Sequence, residues 1–174
     1  MERRQFLAGL GTAGSAALAG CYSLRPDEPP RSVREIPLVE ESGPPDLDDP
    51  GPVQTSWTVG PTDAPTVGEH RPHGVTLRNA ADRARPYALR VVRWSGSGLL
   101  DESGTLVANG RVEVTLRGPA NHSVLVRSGD LAGRVDVPQS QFDCNTSSTT
   151  VVAGDDGLRA STISTQVACG FAWP

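Results

Sequence analysis

The run Arg111-Val112-Glu113-Val114-Thr115-Leu116-Arg117 changes from polar to apolar at every step. Such a period of two suits an extended strand with one face buried and one wet. Residues 75–78 and 87–94 repeat it, although Val91-Val92 and the arginines around them blur the second case. Further strands are expected at residues 122–127, 131–137, 148–153 and 158–164. Between these runs fall Asn109-Gly110, Ser128-Gly129-Asp130 and Gly154-Asp155-Asp156-Gly157, which supply residues that tolerate positive φ. No stretch beyond Gln54 sustains a 3.6-residue period; residues 80–89 come nearest and contain Pro86. Seven or so short strands at this spacing predict an all-β fold, an antiparallel β-sandwich over residues 54–174, immunoglobulin-like in architecture.

The segment before that domain reads differently. From residue 22 to 53 the chain is rich in Pro and acid, as in Asp27-Glu28-Pro29-Pro30 and Gly43-Pro44-Pro45-Asp46-Leu47-Asp48-Asp49-Pro50. Few large apolar side chains are there to offset the entropy of ordering, so residues 21–53 are expected to form a disordered acidic tether. Glu35-Ile36-Pro37-Leu38-Val39 is the one run in it that could dock locally.

At the extreme N-terminus, Arg3-Arg4-Gln5-Phe6-Leu7 opens a Gly- and Ala-rich apolar run that ends in Leu18-Ala19-Gly20-Cys21. The run is too short and too diluted by Gly for a bilayer span, which needs about 20 mainly apolar residues. It resembles a twin-arginine export signal closing in a lipobox. The resemblance implies removal of residues 1–20, lipid on Cys21 and a protein held on the extracytoplasmic face of the cell membrane. Arg3, Arg4, Phe6 and Leu7 would carry the export signal. All 16 basic residues are arginine and acids outnumber them, a usage that resembles surface lipoproteins of salt-loving archaea. Losing two Arg and one Glu with the signal leaves a net charge of −5, which argues against nucleic acid as a partner.

Within the domain, Val75-Thr76-Leu77-Arg78-Asn79, a polar turn and a second strand from Tyr87 resemble the opening hairpin of extracellular Ig-like and CARDB-like modules. That resemblance implies the fold class alone, because the Cys, Trp, Cys framework of antibody domains is missing. With Cys21 assigned to lipid, Cys144 and Cys169 are left as a pair, and an oxidising compartment makes a disulfide the expectation. Reflection of Cys144 through the centre of the 154–157 turn lands at residue 167, two positions short of Cys169.

Candidate chemistry is sparse. Glu69-His70-Arg71-Pro72-His73 offers two imidazoles to Zn²⁺ or Cu²⁺, with His122 as a third ligand if the fold brings it near. No GxSxG elbow, phosphate loop or HExxH motif is present. Arg71, Arg78, Arg83, Arg85, Arg90 and Arg93 stand against a single Asp82 and could form a basic sheet face. Asn121-His122-Ser123 and Asn145-Thr146-Ser147 are sequons for N-glycosylation. The leading expectation is a non-enzymatic lipid-anchored binding or envelope-structural module with no cofactor. Its partners would be the membrane, through Cys21, and an envelope protein or glycan. A metal-capturing lipoprotein using His70 and His73 is the alternative, and an extracytoplasmic enzyme the third.

Overall fold

The computed structural model describes residues 28–43, 51–61 and 70–165. Two sheets pack face to face. Strands β3 (His73–Asn79), β4 (Arg85–Arg93), β6 (Arg111–Leu116), β7 (His122–Ser128), β8 (Leu131–Val137), β9 (Ser147–Ala153) and β10 (Leu158–Ser164) match the seven expected runs to within about two residues. Their inward positions supply the core: Val75, Leu77, Leu89, Val91, Val112, Val114, Leu116, Val124, Val126 and Val151 are all essentially inaccessible to solvent. Burying each side chain contributes about 1.5–3 kcal/mol. The turns also fall where the sequence placed them, with Asn109 at φ 56°, Gly129 at φ 59° and Gly157 at φ 146°.

Two strands had no alternation to announce them. β2 (Val53–Val59) and β5 (Gly98–Leu106) lie at sheet edges and are exposed along most of their length. An edge strand wet on both faces has no need of a period of two.

The first sheet runs β5-β4-β7-β8 and is antiparallel throughout. The second, β1-β10-β9-β3-β6-β2 with β1 at Glu40–Glu41, is mixed. In it β9 lies parallel to β3, β2 to β6 and β1 to β10. The expectation of a wholly antiparallel sandwich is therefore corrected. After β8 the chain crosses between the sheets through a 3-10 turn at Gln139–Gln141 and enters β9 from the end at which β3 begins. Alternation encodes which face is buried and carries no strand direction.

The disordered tether expected over residues 21–53 is also corrected for residues 28–43, which dock on the sandwich. A one-turn helix, α1 (Arg31–Arg34), buries Val33. The chain then bonds to the edge of β8, where Arg134 N–H donates to Pro37 O and Val39 N–H donates to Arg134 O, both at 2.9 Å. β1 pairs with β10, and Ser42 N–H donates to Ala160 O at 2.7 Å. The arm thus runs from the edge of one sheet to the edge of the other and satisfies backbone groups that would otherwise face water. Pro37 interrupts nothing, because only its carbonyl is used. The compact unit consequently includes this arm, and β2 begins at Val53 rather than after it.

Candidate functional site

The polar residues of interest converge on one end of the sandwich, where β3, β7 and β9 begin and β4, β6 and β8 end. There His73 pairs with Leu116 and Ser147, and His122 pairs with Arg93 and Val137. Phe142 lies near both imidazoles, with ring centroids 6.1 Å from His73 and 5.6 Å from His122.

His73 is completely buried at the first position of β3. Its partners fix its tautomer. The Ser147 hydroxyl donates to Gln141 O at 2.7 Å, so it accepts from His73 Nδ1–H at 2.8 Å. Nε2 then accepts from the Thr149 hydroxyl at 3.0 Å, and Thr162 completes the chain at 2.8 Å from Thr149. Burial, reinforced by His122, lowers the His73 pKa from 6.5 to about 4. Burial also lowers that of His122, against a backbone hydrogen bond that the imidazole donates to Ala120, and the Arg93 charge lowers it further.

These contacts bear on metal capture. The Nε2 lone pair of His73 is occupied by Thr149, and exposed His70 uses Nδ1–H on the Phe142 carbonyl at 2.7 Å. Among the described residues no three His, Cys, Asp or Glu side chains converge as a ligand set; Glu69 lies outside the described residues. His70 and His73 are therefore supports for the Phe142 segment and the core, and the structure does not assemble them into a site.

The basic stretch divides as well. Arg83 and Arg85 both pair with Asp155, Arg90 approaches Asp101 at 3.8 Å, and Arg71 donates to Thr146 Oγ1. Arg78 belongs to the other sheet. The single basic sheet face allowed by the sequence does not form, because the residues alternate between faces and sheets. The sequon Asn145 is buried, and its amide donates to Asp143 Oδ2 at 3.0 Å while its N–H meets Asp143 Oδ1 at 2.7 Å. These same bonds hold the Asp143 carboxyl below its usual range. The side-chain amide of this sequon is thus engaged within the fold. Asn121 is half-buried and accepts from Gln139 N–H at 2.7 Å. Cys144 is half-buried beside this turn. Its expected partner Cys169, the lipid site Cys21 and the signal residues Arg3, Arg4, Phe6 and Leu7 lie outside the described residues.

A cleft of about 280 Å³ opens at this end, lined by Arg93, Trp94, Ser95, Pro119, Ala120, Asn121 and Gln139. Trp94 is fixed at its polar edge: Nε1–H donates to Ser123 Oγ at 3.1 Å, and Ser123 donates in turn to Asp136 Oδ1 at 2.6 Å. Arg134 Nε stands 3.1 Å from the same carboxylate oxygen, while its Nη1 donates to Val33 O of the docked arm at 2.9 Å. A polar chain thus connects the arm to the wall of the cleft. Sequence reasoning missed Trp94 and Gln139 as site residues, since an isolated Trp at a strand end and a Gln in a loop carry no spacing signal. The available hint was Trp94 directly following Arg93 after the apolar pair Val91-Val92.

Fold and site together define an all-β sandwich with a small polar and aromatic cleft at one end. No family model matches the chain, and no curated protein matches it.

Proposed function

We propose that this chain is a non-enzymatic surface lipoprotein, exported by the twin-arginine route and anchored through Cys21, whose sandwich acts as an Ig-like binding module. The cleft walled by Trp94 and Arg93 carries the binding role. Its walls are Arg93 at the end of β4 and residues of the connections that flank the strands at this end, and it can hold only a small ligand. The Ig-like reading is supported by the order β5-β4-β7-β8 facing β3 and β6, which is the arrangement C′-C-F-G facing B and E of Ig domains. Two features depart from it: β2 lies parallel on β6, and the β9–β10 hairpin extends the β3 side. The anchoring rests on Arg3-Arg4-Gln5-Phe6-Leu7 and Leu18-Ala19-Gly20-Cys21.

Fractionation of cells expressing the full chain tests the anchor. Cys21→Ser should release the protein from membranes, and Arg3→Lys with Arg4→Lys should leave the precursor inside. Detergent-free recovery of Cys21→Ser in the same membrane fraction as wild type defeats the anchoring.

A further inference from the structure

Among the described residues Arg93 is a cation without an answering carboxylate. Of the arginines in the basic stretch, Arg83, Arg85 and Arg90 have acidic partners, whereas no described acidic side chain meets Arg93. Its Nε is buried and makes no hydrogen bond. Its ladder partner His122 is also buried, so no charge on that side answers the guanidinium. An unmet buried donor on a residue that lines an open cleft is uncommon and is explained most simply by an acceptor that arrives from outside. The planar fork of guanidinium matches a carboxylate with two parallel hydrogen bonds.

The other walls narrow the class. Trp94 presents an aromatic surface whose orientation is fixed by the bond to Ser123, so little entropy is lost when a ligand packs on it. Pro119 and Ala120 add apolar surface, and Asn121, Gln139 and Ser95 bring polar side chains to the rim. A flat apolar wall with amide and hydroxyl groups around it suits a hydroxylated ring. A volume of about 280 Å³ lies just below the range of 300–1,000 Å³ common for small-molecule sites, which points to a single ring or the end of a chain.

We infer that this cleft binds a carboxylate-bearing sugar of the uronic acid type, with Arg93 holding the carboxylate and Trp94 packing against the ring. The inference names the ligand class for the binding role proposed above. It is independent of the anchor, since it can fail while Cys21→Ser still releases the protein.

The probe is sodium glucuronate, titrated into the full mature chain while the indole N–H resonances are followed by NMR, with Trp94→Phe identifying the Trp94 signal. Glucuronate should shift that signal saturably. Glucose and acetate, which each lack half of the pattern, should bind at least about tenfold more weakly. Arg93→Gln should weaken glucuronate binding by about tenfold or more, as expected when a charged hydrogen-bonding partner is lost. Arg90→Gln, an exposed position on the same strand, should leave it unchanged. An unmoved Trp94 signal at saturating glucuronate overturns the inference. Equal binding of glucose, or of acetate, overturns it by showing a neutral-sugar site or a general anion site. Should Arg93→Gln fail to fold, Arg93→Lys provides the same comparison: it keeps the charge and loses the fork, and binding as tight as wild type would remove the bidentate contact from the argument.

Discussion

His73 shows how one residue can be legible in type and misleading in place. Flanked by Pro72 and Gly74, it reads as loop, yet it lies two positions before Val75 on the inward face of β3 and continues the Val75, Leu77 pattern. Counting the imidazole among the buried positions would have found the start of the strand. Its energetics give a pH dependence. The folded pKa near 4 lies below the ordinary 6.5, so the unfolded chain takes up the proton first as pH falls. Stability is therefore fully present above pH 6.5 and is lost progressively down to about pH 4, by about 3 kcal/mol at about 1.4 kcal/mol per pH unit. Thermal melts of the wild type should fall steadily across this window. In His73→Leu the fall should flatten, leaving the smaller contribution of His122, which has the same sign. The variant should also cost only about 1–3 kcal/mol at neutral pH, since Ser147 keeps Gln141 O and Thr149 keeps Thr162 as partners. A melting temperature equally steep in both proteins would remove His73 as the titrating group.

At the scale of elements, the docked arm depends on a residue that has no side chain. A Cβ at Gly133 would stand 2.6 Å from Val39 Cγ2 and 3.2 Å from Leu158 Cδ1, so β8 and the arm approach each other only because position 133 is Gly. Gly133→Ala should lift the arm, raise proteolysis within residues 28–43 and destabilise the protein by about 1–3 kcal/mol. Gly98→Ala, with nothing within 4 Å of its added carbon, should do neither. Proteolysis unchanged in Gly133→Ala would show that the arm shifts to accommodate the methyl. The arm was legible only in the run Glu35-Ile36-Pro37-Leu38-Val39, which could dock locally; its extent was not, because it is held by the backbone of Pro37 and Val39 and by one buried valine, none of which produces a periodic pattern. The β9–β10 hairpin was legible, because its turn residues fix its centre and therefore its register. That register runs unbroken from Leu158↔Ala153 to Ser164↔Ser147 and continues in Thr165 N–H to Thr146 O at 3.0 Å. Were the same register to continue beyond the described residues, position 167 would fall opposite Cys144, two residues from Cys169. On that basis unreduced peptide mapping of exported protein should recover the Cys144 and Cys169 peptides linked. Reduction should then cost roughly 3 kcal/mol in the chain-entropy picture, and two free thiols in the exported protein would refute the bridge.

For the whole molecule, the docked arm changes the distance at which an anchored domain would stand from its membrane. A free tether from residue 22 to 53 would have a typical reach near 30 Å and a stiff limit of about 100 Å. With the arm docked from Glu28, only residues 22–27 separate the folded unit from Cys21, and at about 3.3–3.6 Å per residue they span at most about 25 Å. The side bearing α1 and the β8 edge would then be held toward the headgroups. A ligand for the cleft would be met close to the lipid surface rather than far out in the envelope. The twin-arginine route is compatible with this arrangement, because it exports domains already folded and so permits the arm to dock before anchoring. Neutron reflectometry of the lipidated protein on a supported bilayer gives the measurement. The protein layer of the wild type should begin within about 25 Å of the headgroups, whereas Gly133→Ala, with its arm released, should stand off by a wider hydrated gap. A wild-type gap as wide as that of the variant would mean that the arm leaves the sandwich once the lipid is in the membrane, and the short standoff would be lost with it.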